Sequence, residues 1–167
     1  MSKKMLITGA SGFLGSRVAQ YYKDKYEVLT PSHSEMDIAD ESSVMQYFKK
    51  ARPDFIIHCA AISDVGRCER EPELSWNINV VGTENVVKAA KEISAKCVCC
   101  SSDQVYIGSM CIEAHQEDEV LAPTNVYGKE KLLKPVRSAG LLPALERGCP
   151  QSRRCHCPRH GGAPRPL

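Results

Sequence analysis

The sequence of 167 residues lacks an excess of charge of either sign, with 22 Lys and Arg against 20 Asp and Glu. A dedicated nucleic-acid surface carries a basic stripe, so this balance argues against one. Long apolar runs are also missing, and the longest present are far too short to cross a bilayer. No secretory leader is legible. Lys3 and Lys4 precede an apolar run, but it breaks into Thr8-Gly9-Ala10-Ser11-Gly12 before an apolar leader segment can form. The expected location is therefore cytoplasmic. No internal repeat is visible. The remaining composition, 43% hydrophobic and 25% charged, is that of an ordinary globular protein, and the length favours one domain.

Cysteine is not scarce. There are nine. An odd count without an export signal argues against a disulfide framework. Cys59, Cys97, Cys99 and Cys100 stand inside apolar runs, where a free thiol acts as a small hydrophobe.

The periodicity predicts alternating strands and helices. Met5-Leu6-Ile7-Thr8 reads as a buried strand ending at Gly9. A helix follows from Phe13 to Tyr22, with Leu14, Val18, Tyr21 and Tyr22 at helical spacing. Tyr26 to Thr30 is a second strand closed by Pro31. Asp40 caps a helix with Val44, Tyr47 and Phe48 on one face, ended by Pro53. Residues 54–59 are a third strand, apolar enough to be covered on both faces. Residues 61–72 read as a loop, 73–92 as helix, 96–101 as a fourth strand, and a last helix begins near Asn125. This alternation implies an α/β fold, a Rossmann-type doubly wound parallel sheet.

The segment Thr8-Gly9-Ala10-Ser11-Gly12-Phe13-Leu14-Gly15 lies between the first strand and first helix. Gly9 permits the tight turn, Gly12 lets a pyrophosphate approach the backbone, and Gly15 lets the helix pack close to the sheet. The helix N-terminus adds free N–H groups and a positive dipole end. A tight turn without ligand is the alternative reading, and the strand–glycine–helix context argues against it. The GxxGxxG spacing differs from the GxGxxG of many two-domain dehydrogenases and resembles that of short-chain dehydrogenase/reductases, a resemblance that implies catalytic groups in this same domain.

Tyr127 and Lys131 stand at i and i+4 and share a helix face. Ser102 lies past the fourth strand, at the strand ends where open α/β sheets bind ligands. A carbonyl reductase needs a proton donor, a cation that eases its deprotonation, and a second hydrogen-bond donor. Tyr127, Lys131 and Ser102 suit these roles in that order. Alone, a Tyr-x-x-x-Lys pair is usually a solvated helix face; the glycine loop and the strand-end serine give it weight.

Several stretches together resemble an extended short-chain dehydrogenase/reductase, most like the dTDP-4-dehydrorhamnose reductase type. They are Ile7 to Gly15, Met36-Asp37-Ile38, Arg52-Pro53-Asp54 into Ala60-Ala61, Glu71-Pro72-Glu73, Asn79, Ser101 to Tyr106, and Asn125 to Leu132. The resemblance covers about four-fifths of the chain. It implies that Gly9, Ser11, Gly12, Phe13, Leu14 and Gly15 form the pyrophosphate cradle and that Asp37 and Ile38 flank the adenine. Ala60, Ala61, Ile62 and Ser63, with Tyr127 and Lys131, would stand on the nicotinamide side. Ser102, Tyr127 and Lys131 would be catalytic, and Ser102 and Asp103 would touch substrate. The implied reaction is reduction of the 4-keto group of a nucleotide-linked deoxysugar, and loss of the family's substrate lobe implies an impaired fragment that keeps cofactor affinity better than turnover. Two alternatives share the pattern: a non-catalytic NADP-binding module like the regulatory subunit of methionine adenosyltransferase, and an NAD-dependent epimerase or dehydratase of sugar nucleotides. The expected partners are a nucleotide-sugar substrate and a second copy of the chain, as a homodimer, with neither nucleic acid nor membrane.

The family pattern is not met everywhere. Ser102 is often Thr, Gln104 replaces a usual Tyr, and His58 stands where Asn is frequent, reading as a satisfied residue at a strand end. The end of the second strand, Thr30-Pro31-Ser32-His33-Ser34, has no acid to hold a ribose hydroxyl. Ser32 and His33 suit a 2′-phosphate instead, which favours NADP(H) over NAD(H).

Residues 1–134 are thus expected to form the NAD(P)-binding domain with its Tyr/Lys helix. Residues 135–167 hold six Pro, six Arg and three Cys but no Lys. They read as an atypical, poorly ordered tail in place of the substrate lobe, produced by a change of reading frame or an alternative terminus. Cys149, Cys155, His156, Cys157 and His160 lack the paired spacing of a zinc framework, so no metal is expected.

Overall fold

The computed structural model describes residues 2–106, 115–116 and 119–133. The expected character of residues 135–167 and the histidines and cysteines there lie outside the described residues. Four parallel strands, β1 (Lys4–Thr8), β2 (Glu27–Leu29), β3 (Phe55–His58) and β4 (Lys96–Cys99), are ordered β2-β1-β3-β4. The chain steps from β1 outward to β2, then returns past β1 to β3. The carboxyl ends of β1 and β3 therefore flank a topological switch point, where a crevice opens.

The helices α1 (Phe13–Tyr22), α2 (Glu41–Ala51), α3 (Val65–Arg70), α4 (Pro72–Trp76), α5 (Gly82–Glu92) and α6 (Val126–Leu132) connect and flank these strands. On one sheet face Leu6, Ile56, Cys97 and Cys99 pack with Val44 and Phe48 of α2 and Val86, Val87, Ala89 and Ala90 of α5. The opposite face of β1 carries α1. That helix turns Gly15, Val18, Ala19 and Tyr22 inward, while Leu14 and Tyr21, expected to share its buried face, are exposed. Gly15 sits so close to the loop below that it, rather than Leu14, sets the contact line. Tyr22, Tyr26 and Phe55 then join α1 to the sheet through edge-to-face contacts with centroids 5.6 Å apart in each pair.

Local chemistry explains the ends of α2. The Asp40 carboxylate accepts from Ser42 N–H at 2.9 Å, and Arg52 adopts a left-handed conformation (φ 50°) before Pro53. Two segments differ from expectation. The 61–72 loop contains α3, capped by Asp64, whose carboxylate accepts from Arg67 N–H at 2.6 Å. The 73–92 helix is interrupted by a π-helical turn, Asn77–Val81, between α4 and α5. Among the described residues no helix is long and apolar enough to cross a membrane.

Candidate functional site

The switch point holds a groove of about 950 Å³, a size suited to a cofactor. Gly9, Ser11, Ile38, Ala60, Ala61 and Ile62, all anticipated from sequence, line it. Gly9 has φ +67°, and a Cβ there would lie 2.7 Å from the Ala60 nitrogen. Gly12 N–H donates to Gly9 O at 3.0 Å, closing the turn, and Gly12 caps α1. A Cβ on Gly15 would collide with the Gly9 carbonyl, so this glycine serves packing beneath the loop. Phe13 and Leu14 are exposed at the start of α1, with the Arg17 guanidinium 3.8 Å from the Phe13 ring centroid. Asp37, Gly12, Phe13, Leu14, Gly15, Ser63, Tyr127 and Lys131 are not among the lining residues. The Asp37 carboxylate instead accepts from Ala39 N–H at 2.9 Å and braces its own turn.

The groove also fits the charge of a phosphorylated dinucleotide. Lys23, Arg67 and His33 line it, Arg67 paired with Glu71 at 3.3 Å and His33 lying 3.6 Å from Asp37, and among the described lining residues there is no carboxylate. Lys23 and Arg67 were not legible as site residues; they come from different helices and only the fold brings them to one wall.

A buried polar chain positions the crevice. Ala60 N–H donates to Thr8 Oγ1 at 3.2 Å, and Thr8 Oγ1 lies 2.7 Å from His58 Nδ1. His58 Nε2 lies 3.1 Å from Thr83 Oγ1, whose hydroxyl donates to the Asn79 carbonyl at 2.6 Å. Each hydroxyl has one proton. Thr83 has given its proton to Asn79, so His58 Nε2–H must be the donor to Thr83, and His58 Nδ1 accepts from Thr8. His58 is thus a neutral imidazole of defined tautomer. Burial first, and the Lys131 charge second, pull its pKa to about 3. It is a satisfied strand-end residue.

Asn79, in the π turn, extends the chain. Its Oδ1 accepts from Ile62 N–H at 2.8 Å, while Nδ2 donates to Ile62 O at 3.0 Å and Glu130 Oε2 at 2.7 Å. Glu130 also accepts from Ser75 Oγ at 2.5 Å. One carboxylate therefore ties α6 to α4 and the π turn, while Asn79 clamps the Ile62 peptide at the groove wall. π turns often mark such sites. In the sequence Asn79 and Glu130 stand out only as positions within family-like stretches, with no role assigned, because the partners of Glu130 are 51 and 55 residues away.

The described α6 brings Tyr127 and Lys131 toward Ser102. Asn125 caps it, accepting from Gly128 N–H at 2.7 Å. Gly128 allows close approach to the 3₁₀ turn Asp103–Val105: a Cβ would collide with the Gln104 carbonyl. Tyr127 is buried, and this desolvation raises its phenol above the ordinary range, with Ser102 acting in the opposite sense. Ser102 Oγ donates to Asp103 Oδ1 at 2.9 Å. Lys131 Nζ donates to Cys100 O at 3.3 Å and lies 5.6 Å from the Tyr127 ring centroid. Burial lowers the Lys131 pKa. The phenol is thus held protonated, where sequence reasoning expected the ammonium to lower it; the ammonium is directed to the end of β4.

Residues 3–137 match the RmlD substrate binding domain family. Methionine adenosyltransferase 2 subunit beta from Xenopus laevis is 35% identical over 139 residues, 78% of this chain and 41% of that protein. A dTDP-4-dehydrorhamnose reductase from Mycolicibacterium smegmatis is 34% identical over 133 residues, 79% of this chain and 40% of that one. The crystal structure of dTDP-4-dehydrorhamnose reductase from Bacillus anthracis in complex with NADP superposes with a TM-score of 0.73 at 36% identity, over 78% of this chain and 47% of that one. The chain thus spans less than half the length of these relatives. By its glycine turn, its switch-point groove and this match, the chain belongs to the RmlD substrate binding domain family.

Proposed function

We propose that this chain is the cofactor-binding and proton-donating part of a nicotinamide-dependent reductase acting on the 4-keto group of a nucleotide-linked deoxysugar. The observation that carries the reading is the gathering of Tyr127, Lys131 and Ser102 between α6 and the end of β4, in a fold whose switch-point groove is walled by Lys23 and Arg67. Gly9, Ser11 and Gly12 would hold the pyrophosphate, Ile38 the adenine, and Ala60, Ala61, Ile62 and Ser63 the nicotinamide side. Lys23, with Ser32 and His33 once a phosphate displaces Glu35 from Ser32 and Asp37 from His33, suits a 2′-phosphate and favours NADP(H) over NAD(H). When bound, the reduced nicotinamide supplies the hydride. Tyr127 gives its phenolic proton to the substrate carbonyl oxygen, and Ser102 donates a hydrogen bond to the same oxygen. Lys131 supports the resulting phenolate. Asp103, whose carboxylate accepts from Ser102 Oγ at 2.9 Å, would touch the substrate there.

NADPH fluorescence titration and turnover with a dTDP-4-keto-6-deoxysugar test this. NADPH should bind more tightly than NADH. Tyr127→Phe should lower turnover by about a hundredfold or more while leaving NADPH affinity within about twofold. An unchanged rate overturns the catalytic assignment. The resemblance to methionine adenosyltransferase 2 subunit beta supports a second reading, a binding module, which predicts NADPH binding without turnover.

A further inference from the structure

Cys59 and Cys100 directly follow the last residues of β3 and β4. His58 pairs with Cys99 in the parallel ladder, and Cys100 N–H donates to His58 O at 3.1 Å, so the pairing continues one residue further. Neighbouring strands lie about 4.8 Å apart, which is within the Cα separation a disulfide accepts. The two Sγ atoms are 3.7 Å apart, and both residues are partly exposed. Strand alternation sets them on the sheet face opposite Cys97 and Cys99, which lie in the core. On that face of β4, Val98 is 46% exposed, so among the described residues the side leading to Cys100 is open.

We propose that Cys59 and Cys100 form a dithiol–disulfide couple at the carboxyl end of the sheet, oxidised by a low-molecular-weight disulfide such as oxidised glutathione. The Cys100 thiolate attacks one glutathione sulfur; the glutathione S–S bond breaks, and one glutathione leaves as thiolate and takes a proton from solvent. Cys59 then loses its proton to solvent and attacks the Cys100 sulfur, expelling the second glutathione. Two protein thiols are oxidised to one disulfide, and one glutathione disulfide is reduced to two thiols.

The roles of the two sulfurs follow from their surroundings. The Cys59 thiol hydrogen-bonds to Cys100 and, helped by the Lys131 charge, holds the Cys100 pKa at about 7 against the opposing effect of burial. Cys59, the proton-bearing partner, is raised above the thiol range by that hydrogen bond and by burial. Lys131, whose Nζ donates to the Cys100 carbonyl at 3.3 Å, sets its ammonium beside Cys100, so Cys100 is the attacking sulfur and Cys59 the resolving one. Cys97 and Cys99, 3.8 Å apart, are buried from any such oxidant. The crosslink would fix the spacing between the segment carrying Ala60 to Ser63 and the turn carrying Ser102. The site does not depend on the reductase reading.

The reduced full chain, held in glutathione redox buffers at pH 7, quenched by alkylation and mapped by tandem mass spectrometry, tests this. Among the cysteines of the described residues, a Cys59–Cys100 disulfide should be the first intramolecular crosslink to accumulate. Cys59→Ser should trap glutathione on Cys100, and Cys100→Ser should leave Cys59 reduced over the same period. The pH midpoint for iodoacetamide labelling of Cys100 should lie near 7 in the parent chain and rise toward about 8.5 in Cys59→Ala. Cys68, Cys97 or Cys99 crosslinking to one another or to either partner before this pair forms, or Cys59 in Cys100→Ser taking up glutathione at the rate of Cys100 in Cys59→Ser, would overturn the proposal.

Discussion

Three glycines of one loop answer three different constraints. Gly9 needs its positive φ and has no room against Ala60; Gly15 has no room against the Gly9 carbonyl. Gly12 has an ordinary φ of −81°, and its Cβ would meet only the Gly9 oxygen, at 3.2 Å. Its lack of a side chain is therefore read as room for a ligand. Gly12→Ala should change stability by about 1 kcal/mol or less, yet weaken NADPH binding tenfold or more. Gly15→Ala should cost about 2 kcal/mol or more, because backbone must move to admit the methyl group. Urea unfolding and NADPH titration of both variants check this; equal stability losses would show that Gly12 is merely structural.

At the scale of the element, α6 is short, and its position depends on what grips it. Val126 N–H donates to Glu69 Oε1 at 2.8 Å, Gly128 touches the 103–105 turn, and Glu130 accepts from Ser75 and Asn79. A seven-residue helix is marginal by itself, so these tertiary contacts determine its place. Glu130→Ala strands one buried N–H of Asn79 and leaves the Ser75 hydroxyl only the Pro72 carbonyl, at 3.2 Å, and should destabilise the chain by about 2 kcal/mol. Since Asn79 also clamps Ile62, NADPH affinity should fall although Glu130 does not line the groove. Chemical denaturation with NADPH titration measures both effects, and an unchanged midpoint would refute the linking role. The helix was legible in the sequence because Asn125 is a strong cap. The role of Glu130 was not, because a glutamate on an otherwise polar helix reads as solvated until its partners are known.

For the whole molecule, the buried chain Thr8–His58–Thr83–Asn79 joins β1, β3, the π turn and α5, so its titration acts on the entire fold. His58 has a pKa of about 3 in the folded state and about 6.5 when unfolded. Between these values only the unfolded chain takes up the proton. Stability from this group is therefore complete above pH 6.5 and is lost as pH falls toward 3, on the order of 5 kcal/mol in all. Urea unfolding at pH 7 and pH 4.5 should show a loss that His58→Asn reduces by about 2 to 3 kcal/mol. Identical losses in both proteins would mean that His58 is not the acid-sensitive group. On the same scale, β4 forms one edge of the described sheet and Val98 lies exposed on it.

The sequence alone determined the alternation of strands and helices, the parallel sheet and the glycine turn, because each is encoded by short-range spacing and by backbone chemistry. It also brought Ser102, Tyr127 and Lys131 forward as candidates, from helix periodicity and strand ends. Tertiary structure decided what depends on neighbours distant in the chain. It placed Lys23 and Arg67 in one groove, settled the neutral state and tautomer of His58, assigned Glu130 to Asn79 and Ser75, and set Cys59 beside Cys100. These are properties of contacts across 25 residues or more, and desolvation and hydrogen-bond partnership exist only once those contacts form. The glycine turn, read first, could be recognised without the fold; the carboxylate-free groove it opens onto could not.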